Sequence, residues 1–370
     1  MSRLPIMLLA DLKAATSVPD DLYRRYELYG SVINKISKGK SPGLLLISGG
    51  HQRDSFSSTD NHLQHFAHAA KRTQFRKAAT IAFRELQSRH ILPTMIIAGD
   101  PFFGLLSAFL LRKKFSRKIP IQVSFHGEIT KSGFGTGIKG RLQNLFIQKT
   151  IAKVESVRLV SNDQIHFAKK LFGVVDKQIV IAPVPLISTF KRTTRSKKKV
   201  VAFVGRIHPQ RGIGTWVEAM KNLSVKAEAL IIGDGPLKST FIEDLKEIPK
   251  VSVNATGYIS QSELENTWAK ISVLLSTAPF ESYGMAMREA VLHGVPVVSM
   301  RNSGAQKLHD ECPKMITLVD NAEEAARAIE KVLNRPPSAV VVNKYKKDFL
   351  KAQESYLKSL AKSWLGNFGD

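Results

Sequence analysis

The feature that most constrains this chain is an alternation that occurs twice. Short runs rich in Ile, Leu and Val recur between longer segments. They fall at 5–10, 43–48, 94–98, 119–125, 157–160 and 178–182 in the first half, and at 200–204, 229–232, 251–255, 273–276, 296–300 and 315–319 in the second. Runs that are apolar throughout and bounded by Gly, Pro or polar residues read as strands of a parallel sheet covered on both faces. The segments 20–37, 62–88 and 103–114 read as helices that cover it. Two complete sets of this kind imply an α/β protein of two doubly wound, Rossmann-like domains facing each other across a cleft. Between the sets lies 191–199, a run of basic residues and threonines with no apolar periodicity, which reads as an exposed linker. The expected division is therefore 1–183, a linker at 184–199, a second domain at 200–343, and a tail at 344–370. In that tail Phe349, Leu350, Tyr356, Leu357, Leu360, Ala361 and Trp364 recur at three-to-four spacing among lysines. This is an amphipathic helix, expected to pack back on the body of the protein.

Composition narrows the functional classes. With 43% hydrophobic residues among 370, the chain is far too apolar for a disordered polymer. Its single cysteine, Cys312, excludes a disulfide framework and a Cys-rich zinc module. No apolar run approaches the roughly 20 residues that span a bilayer. The opening run, 4–10, is short for a signal-peptide core and reads as a first buried strand. A soluble, cytoplasmic protein is expected. The net charge of +24 is distributed unevenly: residues 1–199 hold 34 basic against 12 acidic side chains, and residues 200–370 hold 21 against 19. The excess points to an anionic partner for the N-terminal half. Lipid headgroups, nucleic acid and phosphorylated substrates all satisfy that description.

Three motifs in the second half carry chemistry. A strand ends at Gly205-Arg206, and Arg211-Gly212 follow in the same loop. Two guanidiniums at the top of a strand can clamp a diphosphate, although arginine there is more often a solvated surface residue. Gly233-Asp234-Gly235-Pro236 follows the next strand, and such a turn either admits a nucleotide close to the backbone or merely connects strand to helix. The third motif runs from Pro279 through Glu281, Ser282, Tyr283, Gly284 and Met285 to Glu289, with a helix expected to begin near Gly284. Amides at a helix start form an anion site. Carboxylates beside such a site suit it when they accept hydrogen bonds from sugar or ribose hydroxyls; taken alone, a Glu pair is usually a solvated face.

In this order and spacing, with Gly257-Tyr258 between the second and third motifs, the set resembles glycosyltransferase family 4 of the GT-B fold. The resemblance is dense over residues 200–310. It is thinner in the first half, where Ile97-Ala-Gly-Asp100-Pro101, Val123-Ser-Phe-His126-Gly127 and Val157-Arg-Leu-Val160-Ser161-Asn162 look like the family's strand ends. The resemblance implies a nucleotide-sugar donor and a retaining mechanism. Gly205, Arg206 and Arg211 would face the donor diphosphate, with Gly233 and Gly235 beside it. Amides at Ser282, Tyr283, Gly284 and Met285 would hold the distal phosphate and sugar. Glu281 would bind sugar hydroxyls and Glu289 the ribose, while Gly257, Tyr258 and Ile259 would lie against the base. His126 would stand opposite the donor sugar near the acceptor.

Three departures stand out. Arg211 replaces the usual Lys, the loop after the first strand lacks the familiar Gly-Gly (Ser48-Gly49-Gly50-His51 follows the second strand instead), and Ala182-Pro-Val-Pro185 replaces the usual Asn-Gly-Val-Asp.

The chain contains no Asp-x-Asp, so neither a metal nor any other cofactor is expected, and the arginines supply the counter-charge. Basic clusters at 71–77, 112–118 and 131–141, the last Gly-rich with Phe134 and Ile138, lead to an expected peripheral enzyme on the cytoplasmic membrane face. Its acceptor would be lipid-linked, in glycolipid or cell-surface polysaccharide synthesis; nucleic acid is not expected as a partner. The rival readings are a nucleotide-sugar epimerase of the same fold and a non-catalytic module binding anionic lipid or nucleic acid. Donor, acceptor and oligomeric state are open at this stage.

Overall fold

The computed structural model describes residues 2–9, 20–115, 118–126, 129, 137–188, 190, 198–338 and 340–366. They divide into two compact units, Met1–Pro185 with Ala352–Asp370, and Leu186–Lys351. The first is built on strands β1 (Ser2–Leu9), β2 (Leu44–Ser48), β3 (Ser55–Thr59), β4 (Leu63–Ala67), β5 (Ile91–Ala98), β6 (Ile121–Phe125), β7 (Ser156–Leu159) and β8 (Ile179–Ile181). Their order is β3-β4-β2-β1-β5-β6-β7-β8. All neighbours pair parallel except β3, which runs antiparallel to β4. The hairpin β3–β4 corrects the expectation of one helix over 62–88: the helix there is Phe75–Ser88 alone. His65 is buried beside Leu63, Phe66 and Ala67, so a polar residue interrupts the apolar run that would have marked β4 as a strand.

The second unit carries β9 (Val200–Val204), β10 (Ala227–Ile232), β11 (Val251–Gly257), β12 (Val273–Ser276), β13 (Val297–Met300) and β14 (Ile316–Val319). Their order is β11-β10-β9-β12-β13-β14, parallel throughout. Strand order therefore reverses between β9 and β12, and the loops leaving those two strands flank the crevice where such sheets bind ligands. On one face of this sheet Phe203, Trp216 and Phe241 pack edge to face with ring centroids 5.3–6.4 Å apart. Such pairs add roughly 0.5–1.5 kcal/mol each beyond area burial. The indole of Trp216 also donates to the Leu275 carbonyl at 3.2 Å, which ties its helix to β12. The opposite face is filled by Trp268, Leu274, Met287, Val291 and Val297.

The final helix, Val340–Leu365, begins in the second unit, where Val342, Tyr345 and Phe349 join the core. Its last turns belong to the first unit, where Leu357, Leu360 and Trp364 pack with Met7, Tyr29 and Ile97. The Trp364 indole donates to Gln122 Oε1 at 2.7 Å, and Thr94 Oγ1 donates to the Trp364 carbonyl at 2.9 Å. Among the described residues no helix is long and apolar enough to cross a membrane.

Candidate functional site

In the second unit the site is assembled by backbone first. Gly205, directly after β9, donates its amide to Ile232 at 3.0 Å, and Gly233, directly after β10, donates to Gly257 at 2.8 Å. The three strand ends are thus laced edge to edge. Gly233 has φ +138°, and a Cβ there would lie 1.9 Å from the Gly205 carbonyl oxygen, so only glycine lets these loops approach. Gly235 follows with its amide on Asp234, whose carboxylate also meets Lys238 at 3.0 Å and is held below the usual range, chiefly by that lysine.

The loop after β9 presents Arg206 to solvent. It then turns back so that Arg211 reaches the loop after β12, where its guanidinium pairs with Glu281 at 2.6 Å. Thr277 Oγ1 donates to the Arg211 carbonyl at 3.0 Å, joining the two loops a second time. A cavity of about 30 Å³ lies here, lined among others by Val204, Arg211, Thr277, Glu281, Gly284 and Met287. The structure therefore brings together the arginine and the first glutamate, 70 residues apart in sequence.

The helix Met285–Leu292 opens on this cavity with Gly284 at its N-cap, in the left-handed region at φ 73°. Its preceding loop is held by hydrogen bonds that anchor the backbone, and among the described residues none engages the first-turn amides. Gly304 N and Ser303 Oγ both donate to the Glu281 carbonyl, at 2.7 and 3.2 Å. Arg288 Nε donates to the Tyr283 carbonyl at 3.0 Å. The Ser282 hydroxyl is buried with no hydrogen-bond partner among the described residues. Met285 is half-buried against the core.

Arg288 was not among the residues singled out in the sequence. It is 1% exposed, pairs with Glu311, and donates to the Tyr345 hydroxyl at 3.1 Å. Its guanidinium sits 4.4 Å from the Tyr283 ring centroid, and burial pushes the Tyr283 phenol up to about 12. Its signal was a charged pair, Arg288-Glu289, inside the otherwise apolar run Met285-Ala-Met-Arg-Glu-Ala-Val-Leu.

Glu289 is buried, and its Oε1 accepts from Gln261 Nε2 and from Trp268 Nε1, the latter at 3.3 Å. This connects the second glutamate to the segment after β11, where Gly257 turns at φ 72°, Tyr258 is 63% exposed and Ile259 rests against the core. Ser260 then caps the next helix by a reciprocal bond with Glu263. The base-side and ribose-side residues expected from sequence thus share one hydrogen-bonded corner of this unit.

In the first unit His126 follows β6. The residue as a whole is exposed, while desolvation of the imidazole by the surrounding protein, and the positive charges of Arg158 and Arg25, disfavour the imidazolium and hold its pKa well below the usual histidine range. Asp100 serves the backbone, its two oxygens accepting from Phe102 N at 2.9 Å and Gly104 N at 3.0 Å at the start of the helix Phe103–Lys113. The motif Ser48-Gly49-Gly50-His51 proves to be part of a hydrogen-bonded chain. Ser48 Oγ lies 2.7 Å from both His51 Nε2 and His65 Nε2, and Tyr23 meets His65 Nδ1. Burial and the neighbouring His51 lower His65 to about 4. Gly127, Phe134 and most of the basic Gly-rich loop lie outside the described residues. No group of three or more His, Cys, Asp or Glu suited to a metal occurs among the described residues.

Comparison with known proteins bears on the same elements. Residues 187–349 match the family model for glycosyl transferases group 1. Among curated proteins, a GDP-mannose-dependent alpha-mannosyltransferase of Corynebacterium glutamicum is 30% identical over 37% of this chain and 32% of its own length. A teichuronic acid biosynthesis glycosyltransferase of Bacillus subtilis, TuaC, itself described as putative, is 23% identical over 69% of this chain and 65% of its own. The chain thus spans about a third of the first of these relatives. Among solved structures, sucrose-phosphate synthase of Thermosynechococcus elongatus superposes with a TM-score of 0.74 at 15% identity, covering 98% of each chain. Anabaena HepE in complex with UDP-glucose gives 0.68 at 14% identity, over 97% of this chain and 100% of the other. The fold is therefore GT-B over nearly the whole length, and residues 187–349 match the glycosyl transferases group 1 family.

Proposed function

We propose that this protein is a retaining, metal-independent glycosyltransferase that moves a sugar from a nucleoside-diphosphate donor to a membrane- or lipid-linked acceptor. The observation that carries the reading is the meeting of Arg211 and Glu281 beside a glycine-capped helix start, at the strand-order reversal of the second unit. A cation, a carboxylate and free amides suit a diphosphate and a sugar hydroxyl together. In the reaction the bond from the anomeric carbon to the diphosphate oxygen breaks. The acceptor oxygen bonds to the same face, and its proton passes to the departing diphosphate. Arg206 and Arg211 stabilise the charge that grows on that leaving group, so the protein contributes neutralisation and positioning more than a strong base. Glu281 orients the sugar, Glu289 the ribose, and His126 stands near the acceptor.

The lipid-side assignment has its own support. The helix Ile138–Thr150 exposes Ile138 (81%), Leu142 (63%) and Leu145 (46%) on one face, with exposed Lys139 and Arg141 beside them. An apolar stripe rimmed by cations, on the half of the chain holding nearly all the net charge, suits an anionic leaflet. Relatives point the same way, since one is named a phosphatidylinositol dimannoside mannosyltransferase.

Two measurements test the proposal. Incubation with a nucleotide-sugar panel should give slow donor hydrolysis for one sugar and faster turnover once an acceptor lipid is supplied. No hydrolysis of any donor would refute the enzymatic reading. Co-sedimentation with vesicles should favour anionic over neutral lipid and weaken at high salt. Equal, weak binding in all conditions would leave a soluble acceptor.

A further inference from the structure

A parallel strand covered on both faces is expected to be apolar throughout, and β6 obeys this on one face only. Ile121, Val123 and Phe125 are fully buried in the core. The alternate positions are Gln122, Ser124 and, one step past the strand's end, His126, so polar side chains succeed one another at period two. Gln122 is accounted for, since it accepts from Trp364 at 2.7 Å and donates to Ser156 at 2.9 Å. Ser124 is not. It is 1% exposed, and its hydroxyl has no hydrogen-bond partner among the described residues.

Two guanidiniums border this stripe. Arg158 stands in register opposite Ser124 on β7, and is 1% exposed. It donates to the Ala182 and Pro183 carbonyls at 2.8 and 2.9 Å and to the Tyr29 hydroxyl at 2.8 Å, which fixes its position without neutralising its charge. Arg25, from the helix Asp20–Ile36, has its Nε buried and without a hydrogen-bond partner among the described residues. Both charges are near enough to bear on His126. Buried polar groups in native proteins are nearly always hydrogen-bonded, and exceptions call for an explanation. Here an unmet hydroxyl lies in register with a fixed guanidinium near the carboxyl end of a parallel strand that His126 directly follows, and Arg25, one turn before the Tyr29 that Arg158 contacts, brings a second unmet donor to the same edge, where doubly wound sheets bind ligands.

We propose that Ser124, Arg25 and His126 form a pocket for a phosphate group, and that in turnover this phosphate belongs to the acceptor. Several oxygens on one centre match a hydroxyl donor, a guanidinium Nε and an imidazole better than any single neutral hydroxyl does, and Arg158 supplies a fixed second charge. The assignment to the acceptor rests on the glycosyltransferase reading; the pocket itself does not.

The test is calorimetric titration of inorganic phosphate into the full chain carrying Arg206→Ala and Arg211→Ala, so that the second unit's arginines do not contribute. Adding Arg25→Gln should weaken binding at least tenfold, and adding Ser124→Ala about three- to tenfold. Ser124→Ala should at the same time leave the melting temperature equal or higher, because it removes a hydroxyl that has no partner. Unchanged phosphate affinity in both variants overturns the pocket, as does a fall in melting temperature on Ser124→Ala, which would mark the hydroxyl as structural. Should Arg25→Gln fail to fold by circular dichroism, Ser124→Ala and Arg25→Lys decide. Dihexanoyl phosphatidic acid and glucose 6-phosphate then separate a lipid headgroup from a sugar phosphate as the source, the tighter binder identifying the class, and failure of both overturns the proposal. Absence of donor hydrolysis by the unmutated chain, with phosphate binding intact, would overturn the acceptor assignment while the pocket stands.

Discussion

Replacing Glu281 with glutamine separates two roles that this carboxylate combines. It holds Arg211 at 2.6 Å, with the two side chains 24% and 34% exposed respectively. At that exposure solvent screens the pair, and its net worth is at most about 1 kcal/mol. A diphosphate that recruits Arg211 has to displace this partner. Glu281→Gln keeps the volume and removes the competing charge, so affinity for the bare nucleoside diphosphate should rise, by up to about fivefold for about 1 kcal/mol. Transfer should move the opposite way. A sugar hydroxyl loses a bond to a charged acceptor worth about 1.5–3 kcal/mol, a fall in kcat/KM of roughly ten- to 150-fold. Calorimetry with UDP and GDP reads the first effect, and steady-state transfer the second. The reasoning is refuted if nucleoside-diphosphate affinity falls in step with turnover, because Glu281 would then serve only to hold Arg211 in place.

Other expectations follow from single contacts. Glu289→Ala leaves the Trp268 indole without its acceptor, so stability should drop by roughly 1–3 kcal/mol, and donor KM should rise with it; an unchanged melting curve would contradict the buried bond. Arg288→Leu removes the anchor of the Tyr283 carbonyl and leaves Glu311 unpaired. Because that carboxylate is 35% exposed, we expect about 2–3 kcal/mol rather than the larger cost of a wholly buried pair, read as a lower urea midpoint together with weaker donor binding. His65 and His68 are each lowered to about 4, chiefly by burial, from an ordinary value near 6.5. Between those values only the unfolded chain takes up the protons, so stability should be full above about pH 6.5 and decline toward pH 4, by on the order of 2–3 kcal/mol per ring. Urea midpoints across that range check it, and His65→Gln should flatten the slope. Transfer should persist in a chelator, and activity that vanishes there and returns with manganese would count against the arginine counter-charge.

The strands that were legible in the sequence are those whose neighbours on both faces are apolar. β9, β10, β12 and β13 are apolar except at Glu228, Ser276 and Ser299 because helices cover them on both sides, and local composition reports that directly. The glycines at the strand ends of the second unit were legible for a similar reason: a close approach such as Gly233 to Gly205 admits no side chain, so it leaves its mark on residue identity.

What required the tertiary structure was partnership across long separations. That β4 is a strand depends on β3 pairing back on it and on Ser48 satisfying His65, and neither is visible in an apolar pentapeptide broken by Gln64 and His65 and read alone. The role of Arg288 depends on Glu311 and Tyr345, 23 and 57 residues away. The unmet hydroxyl of Ser124 becomes meaningful only once Arg158 is seen opposite it in register. Sequence composition determined which segments would be buried, because burial acts on each residue type separately. Which polar groups inside would find partners was decided by the fold alone, since a hydrogen bond is a property of two positions brought to one distance.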